Sequence, residues 1–127
     1  MLLLILFVLF YIFVEQKSIE ISAVELAQSY ISDSLNADKK FLNQEIDLTG
    51  SVKTYYEFEN EDNLLELRTN NDLPGIFIII KNKVLEDQVQ MITSGTKILV
   101  YGKCLGLNPS GKEKFPNSIY IEAKEIK

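Results

Sequence analysis

Four carboxylates fall within six residues of this chain: Glu57, Glu59, Glu61 and Asp62. Such a cluster attracts divalent cations, but it lacks the ligand-and-glycine pattern of a calcium loop. A solvated acidic turn is expected, and no metal is assigned. Farther along, Lys112, Lys114 and Phe115 sit between Pro109 and Pro116. Cations interleaved with a ring suit single-stranded nucleic acid, where ammonium groups meet phosphates and rings stack on bases. Lys53, Tyr55, Arg68, Tyr101, Lys103 and Tyr120 extend that set, because each is expected to point outward from a strand. Together these residues form the candidate binding face, with the acidic loop beside it.

Composition narrows the chemistry. The 127 residues hold no His and one Cys, Cys104, which excludes a Ser-His-Asp triad, a Cys-His pair and a His- or multi-Cys zinc site. Asp38, Glu45 and Asp47 are candidate acids, but nothing in their spacing sets a pair across a cleft. No enzymatic activity and no cofactor are expected. Cys104 falls in phase with Ile98 and Val100, so a buried, inert thiol is expected. Thirteen cations against eighteen acids leave a net charge of −5, which disfavours a nucleic-acid partner.

The elements that must position these groups begin after an apolar run. Residues 1–14 contain no charged side chain and show no polar stripe. They read as a short membrane anchor or signal-like segment, with no basic residue before the run and no small-x-small cleavage site after it. Residues 15–21 read as a linker, and residues 22–127 as one domain. Ser22-Ala23-Val24-Glu25 has the form of a capping box, and the spacing predicts a helix over residues 23–36 that stops at Asn36-Ala37-Asp38. Tyr30 is expected to pack its ring between helix and sheet with its hydroxyl at the rim. Phe41 is expected to plug one end of the core.

From Glu45 the period changes to two. Ile46, Leu48, Gly50, Val52 and Thr54 share one face of a long strand, with Gly50 marking a bulge or bend. A second strand spans 64–70, and Ile76 to Ile80 reads as a central strand. A helix over 83–92 follows, with Asn82 as cap, Val84, Leu85 and Val89 on its apolar face and Gly95 as stop. Strands at 96–105 and 118–126 flank a proline-bearing loop. Helix, three strands, helix, two strands is the order of an OB-fold. The predicted class is mainly β: a five-stranded Greek-key barrel with an N-terminal helix and a helix between strands 3 and 4. A closed barrel also removes exposed strand edges.

Several stretches carry a resemblance. They are Ser22-Ala23-Val24-Glu25-Leu26 with Tyr30, Asn36-Ala37-Asp38-Lys39-Lys40-Phe41, Leu48-Thr49-Gly50-Ser51-Val52, Gly95-Thr96-Lys97 and Val100-Tyr101-Gly102-Lys103-Cys104-Leu105-Gly106. In this order and spacing, over about residues 20–127, they resemble the tRNA-anticodon-binding-like OB-fold family. The resemblance implies a small bacterial protein with a signal or lipoprotein segment. The family commonly carries a second Cys near the end of its last strand, where Lys124 stands here. The expected role is a non-enzymatic binding module tethered to the membrane through residues 1–14, with its domain outside the cytoplasm. It would recognise a protein or small ligand at the cell envelope through its OB loops. The alternative is single-stranded RNA or DNA on the barrel face.

Overall fold

The computed structural model describes residues 18–127. The apolar run assigned to a membrane anchor, and residues 15–17 of the expected linker, lie outside the described residues. Among the described residues, no helix is long and apolar enough to cross a membrane.

The rest of the expected linker is a strand. β1 (Ile19–Ser22) runs parallel to β2 (Glu45–Tyr56), with Ile19 opposite Ile46 and Ser22 opposite Thr49. Ile19 and Ile21 pack against the core while Glu20 is exposed. A four-residue alternation is too short to stand out from a linker by pattern alone.

Ser22 ends β1 and caps α1 (Ala23–Ser32). Its hydroxyl accepts from the Glu25 N–H at 3.1 Å and donates to the Glu25 carboxylate at 2.9 Å. The expected single helix over 23–36 is two helices. Asp33 is extended, and its carboxylate accepts from the Asn36 N–H at 3.1 Å, opening α2 (Ser34–Phe41). A short acidic side chain that captures a backbone N–H ends one helix and starts another. The predicted stop at Asn36-Ala37-Asp38 therefore lies inside α2.

The remaining elements are β3 (Asn63–Leu67), β4 (Gly75–Ile80), α3 (Lys83–Gln90), β5 (Lys97–Leu107) and β6 (Ser118–Ile126). The sheet order is β1-β2-β3-β4-β6-β5, and β2 pairs again with β5 to close it. The result is the expected five-stranded OB barrel, with β1 added along one edge of β2. Asn82 caps α3 by accepting from the Leu85 N–H at 2.9 Å. Leu85 and Val89 carry its buried face, whereas Val84, expected on that face, is 76% exposed.

The barrel interior holds Ile46, Leu48, Leu65, Ile78, Val100 and Ile121, on which Leu26, Tyr30 and Phe41 of the helices pack. A second, smaller cluster lies outside the barrel wall: Leu64, Phe77, Ile79 and Tyr120, with Tyr56, Phe58, Leu105 and Phe115 against it. β4 is thus covered on both faces, which is why it reads as an unbroken apolar run.

Two irregularities set the orientation of the site residues. The bulge in β2 falls between Val52 and Thr54, not at Gly50. It shifts the alternation, so Thr54 is exposed and Tyr55 packs against the main core. Gly50 has a different task. A Cβ there would meet Leu67 at 3.1 Å and Ala23 at 3.2 Å, so its bare backbone lets α1 lie close to the barrel. In β5, a Cβ on Gly102 would stand 2.3 Å from the Glu122 carbonyl, beside the bulge that leaves Lys124 unpaired in the ladder.

Candidate functional site

The candidate face does not form one surface. The β2–β3 loop (57–62) and the β5–β6 loop (108–117) close on each other instead. Lys112 Nζ lies 3.7 Å from Asp62, and Lys114 Nζ lies 3.2 Å from Glu61. Lys114 also stands 3.7 Å above the Phe58 ring, a cation–π contact. Glu57 and Glu59 stay exposed beyond this clasp. Two acids of the acidic loop and two cations of the candidate binding face therefore neutralise each other.

Beneath the clasp the aromatic rings stack. Phe115 lies on Phe77 with centroids 4.4 Å apart and planes 13° apart, and Tyr56 meets Phe115 at 4.9 Å. Tyr120, expected as an exposed stacking ring, is 1% exposed and lies 5.6 Å from Phe77. It does leave the interior, as its phase predicts, but the β5–β6 loop covers it. Its hydroxyl has no hydrogen-bond partner among the described residues, and burial pushes its ionisation upward. A cavity of about 180 Å³ between the loops is lined by Tyr120, Glu61, Asp62, Lys112 and Lys114.

The other predicted face residues are dispersed. Lys53 pairs with Glu66 at 3.4 Å, and the Tyr56 hydroxyl donates to the same carboxylate at 2.9 Å. The Tyr55 hydroxyl accepts from the Asn63 side chain at 2.9 Å. The Tyr101 hydroxyl donates to Glu45, which also holds Lys124. Lys103 is half-buried on β5. Arg68 donates to the Ser94 hydroxyl at 3.2 Å.

Arg68 instead belongs to a different site. An open groove of about 700 Å³ is lined by Ser22, Val24, Thr49, Ser51, Leu99, Arg68, Lys97 and Lys127, with no Asp or Glu side chain among its lining residues. Register explains the convergence. Ser51 is opposite Lys97 on one side, and on the other its carbonyl accepts from the Arg68 N–H at 2.8 Å. Thr49 lies between Ser22 and Leu99, and Leu99 exchanges backbone hydrogen bonds with Lys127. Cross-strand partners share a face, so these side chains stand in two adjacent rows. Lys97, Lys127 and the three hydroxyl residues were not assigned to a binding face by sequence reasoning. The polar phase of β2 was legible, but its partners on β1, β3 and β5 require the register.

The remaining reactive groups are committed to structure. Cys104 is fully buried, and burial pushes its thiol upward. The Tyr30 hydroxyl donates to Asp38 at 2.8 Å, and burial raises its ionisation well above the ordinary tyrosine range. Asp47 accepts from the Ser18 hydroxyl at 2.5 Å.

Known proteins share this arrangement at the level of fold. A family model described as tRNA_anti-like matches residues 2–112. A lipoprotein from Klebsiella pneumoniae subsp. pneumoniae, assigned provisionally to nucleic-acid binding, superposes with a TM-score of 0.60 at 10% identity, over 87% of this chain and 90% of that one. Asparaginyl-tRNA synthetase from Entamoeba histolytica gives 0.57 at 14% identity, over 87% of this chain and 23% of that one. An OBody bound to hen egg-white lysozyme gives 0.53 at 9% identity, over 68% of this chain and 82% of that one. The chain spans 20% to 23% of the aminoacyl-tRNA synthetases it matches. No curated protein matches the sequence.

Proposed function

The chain belongs to the tRNA_anti-like family, and on that footing we propose that it is a non-enzymatic binding module of the bacterial cell envelope. Its paired OB loops recognise a protein or small ligand. The clasp carries this reading. Lys112 and Lys114 are held by Asp62 and Glu61, and Phe115 is stacked on Phe77. A nucleic-acid strand entering here would have to displace two carboxylates and unstack a ring to reach its phosphate and base contacts. What the closed clasp presents is the acidic rim of Glu57, Glu59 and Glu113, all exposed. That rim favours a partner with a basic surface. The lysozyme-bound OBody is an example of this fold in a protein complex.

The envelope placement draws on residues 1–14 as an anchor and on the lipoprotein with the same fold. The alternative, single-stranded nucleic acid on the barrel face, draws on the provisional assignment of that same lipoprotein. It has less support in the charges, since Lys53, Lys112 and Lys114 each sit within 4 Å of a carboxylate.

A photo-crosslinking residue placed at Glu59 in the full chain, in cells, tests the reading. A discrete protein or small-ligand adduct in the envelope fraction is expected. It should weaken when Glu57, Glu59, Glu61 and Asp62 are neutralised together, with the crosslinker moved to Asn60. A nuclease-sensitive adduct would replace this reading with the nucleic-acid one.

A further inference from the structure

The groove lined by Arg68, Lys97 and Lys127 has no role in that reading. Among the described residues of this acidic chain, six lysines lie within 4 Å of a carboxylate. Arg68, Lys97 and Lys127 have no such partner among the described residues, yet register brings them to one groove. Like charges on neighbouring strands repel. An unneutralised set is therefore a cost that an anion would remove. Between the cations lie the hydroxyls of Thr49 and Ser51, donors that charge repulsion alone does not call for, beside the Ser22 hydroxyl, whose proton goes to Glu25.

The lining also indicates the class of anion. Three cations and the two hydroxyls of Thr49 and Ser51 offer more donors than the two oxygens of a carboxylate can accept, whereas a phosphate monoester has three terminal oxygens. Val24 and Leu99 add apolar wall beside the polar floor. The groove volume of about 700 Å³ is that of a small-molecule site. Two acids along the face, Asp47 and Glu125, line an adjoining pocket that shares Leu99 and Lys127 with the groove. They would repel a second anion and so confine the phosphate to the Arg68–Lys97 end.

We propose that this groove binds a small organic phosphate. Arg68, Lys97 and the Thr49 and Ser51 hydroxyls hold its phosphate group, and its carbon body rests on Val24 and Leu99. The site is independent of the loops, so its failure and theirs are separable.

The test is a titration of the full chain, in an uncharged detergent, with inorganic phosphate, glycerol 3-phosphate and a mixed-sequence single-stranded oligonucleotide. Amide shifts of Thr49, Ser51 and Leu99 are followed by NMR. Saturable shifts are expected with both phosphates, tighter for glycerol 3-phosphate. Arg68→Ala and Lys97→Ala should each weaken binding about tenfold. Lys53→Ala and Lys112→Ala should leave it unchanged, and unchanged spectra elsewhere would show that the variants fold. No saturation below about 10 mM, equal affinity for the two phosphates, or equal loss in Lys53→Ala would each overturn the proposal. So would shifts produced by the oligonucleotide alone.

Discussion

The clasped loops and the open groove use the same side-chain types to opposite ends. At the clasp, lysines meet carboxylates and rings lie on rings, so chemistry that reads as recognition is absorbed by the fold. At the groove, an arginine and two lysines surround hydroxyls with no Asp or Glu side chain among the lining residues. A cation near an aromatic in the sequence is therefore not yet a free cation. What decides is whether a carboxylate from another loop or strand reaches it first.

The sharpest way to break this comparison is to remove the centre of the aromatic stack. Phe77 is 3% exposed and touches Tyr56, Phe115 and Tyr120. Phe77→Ala should cost about 3–5 kcal/mol in urea unfolding. Thr49→Ala, in the groove, should stay within about 0.5 kcal/mol. A Phe77→Ala cost below about 1 kcal/mol would mean that the outer rings are not a structural cluster. They would then again be candidates for ligand contact.

Salt separates the two regions by sign. The clasp pairs are partly exposed, so Lys112→Ala with Lys114→Ala should cost less than about 1 kcal/mol per pair. Added salt should shrink that cost by screening an attraction. Lys97→Ala relieves a repulsion. It should leave thermal stability unchanged or slightly raised at low salt, and the difference should vanish at high salt. Melting curves at two salt concentrations check both signs. A Lys97→Ala variant that is less stable at low salt would mean the lysine has an attractive partner after all.

The barrel was legible because its signals are periodic. Ile46, Leu48 and Val52 alternate, Ile76 to Ile80 run unbroken, and Ile98, Val100 and Cys104 keep phase. Single residues that interrupt a period were harder to place. Asp33 divides a helix whose apolar spacing continues through it. The bulge after Val52 turns Tyr55 inward and leaves Tyr56 in the outer cluster, and no residue type at that point announces it. The candidate site was legible only as a composition of loops. Which acid meets which lysine, and that Arg68, Ser51 and Lys97 share a row, are facts of register between segments far apart in sequence.

The smallest effect concerns Lys124, which offers a control within the same barrel. It lies at the β5–β6 bulge and reaches Glu45, to which Tyr101 also donates. Hydrogen bonds from Lys124 and then Tyr101 hold the Glu45 carboxyl below its ordinary value, and the Glu45 hydrogen bond raises Lys124. A carboxyl lowered on folding contributes stability above its unfolded pKa, and that contribution is lost as pH falls through the folded value. Glu45 is exposed, so the effect on melting will be slight and the titration itself is the measurement. Followed by carboxyl NMR, Glu45 should titrate below the usual glutamate range. Lys124→Met should move it upward, with Tyr101 retaining part of the shift. Lys97→Met should leave it where it is, because Lys97 pairs across Ser51, at the far end of the β2–β5 ladder from Glu45. If Lys97→Met moved Glu45 as far as Lys124→Met does, the cations of this face would act as one diffuse field. The distinction between paired and unpaired cations would then lose its physical basis.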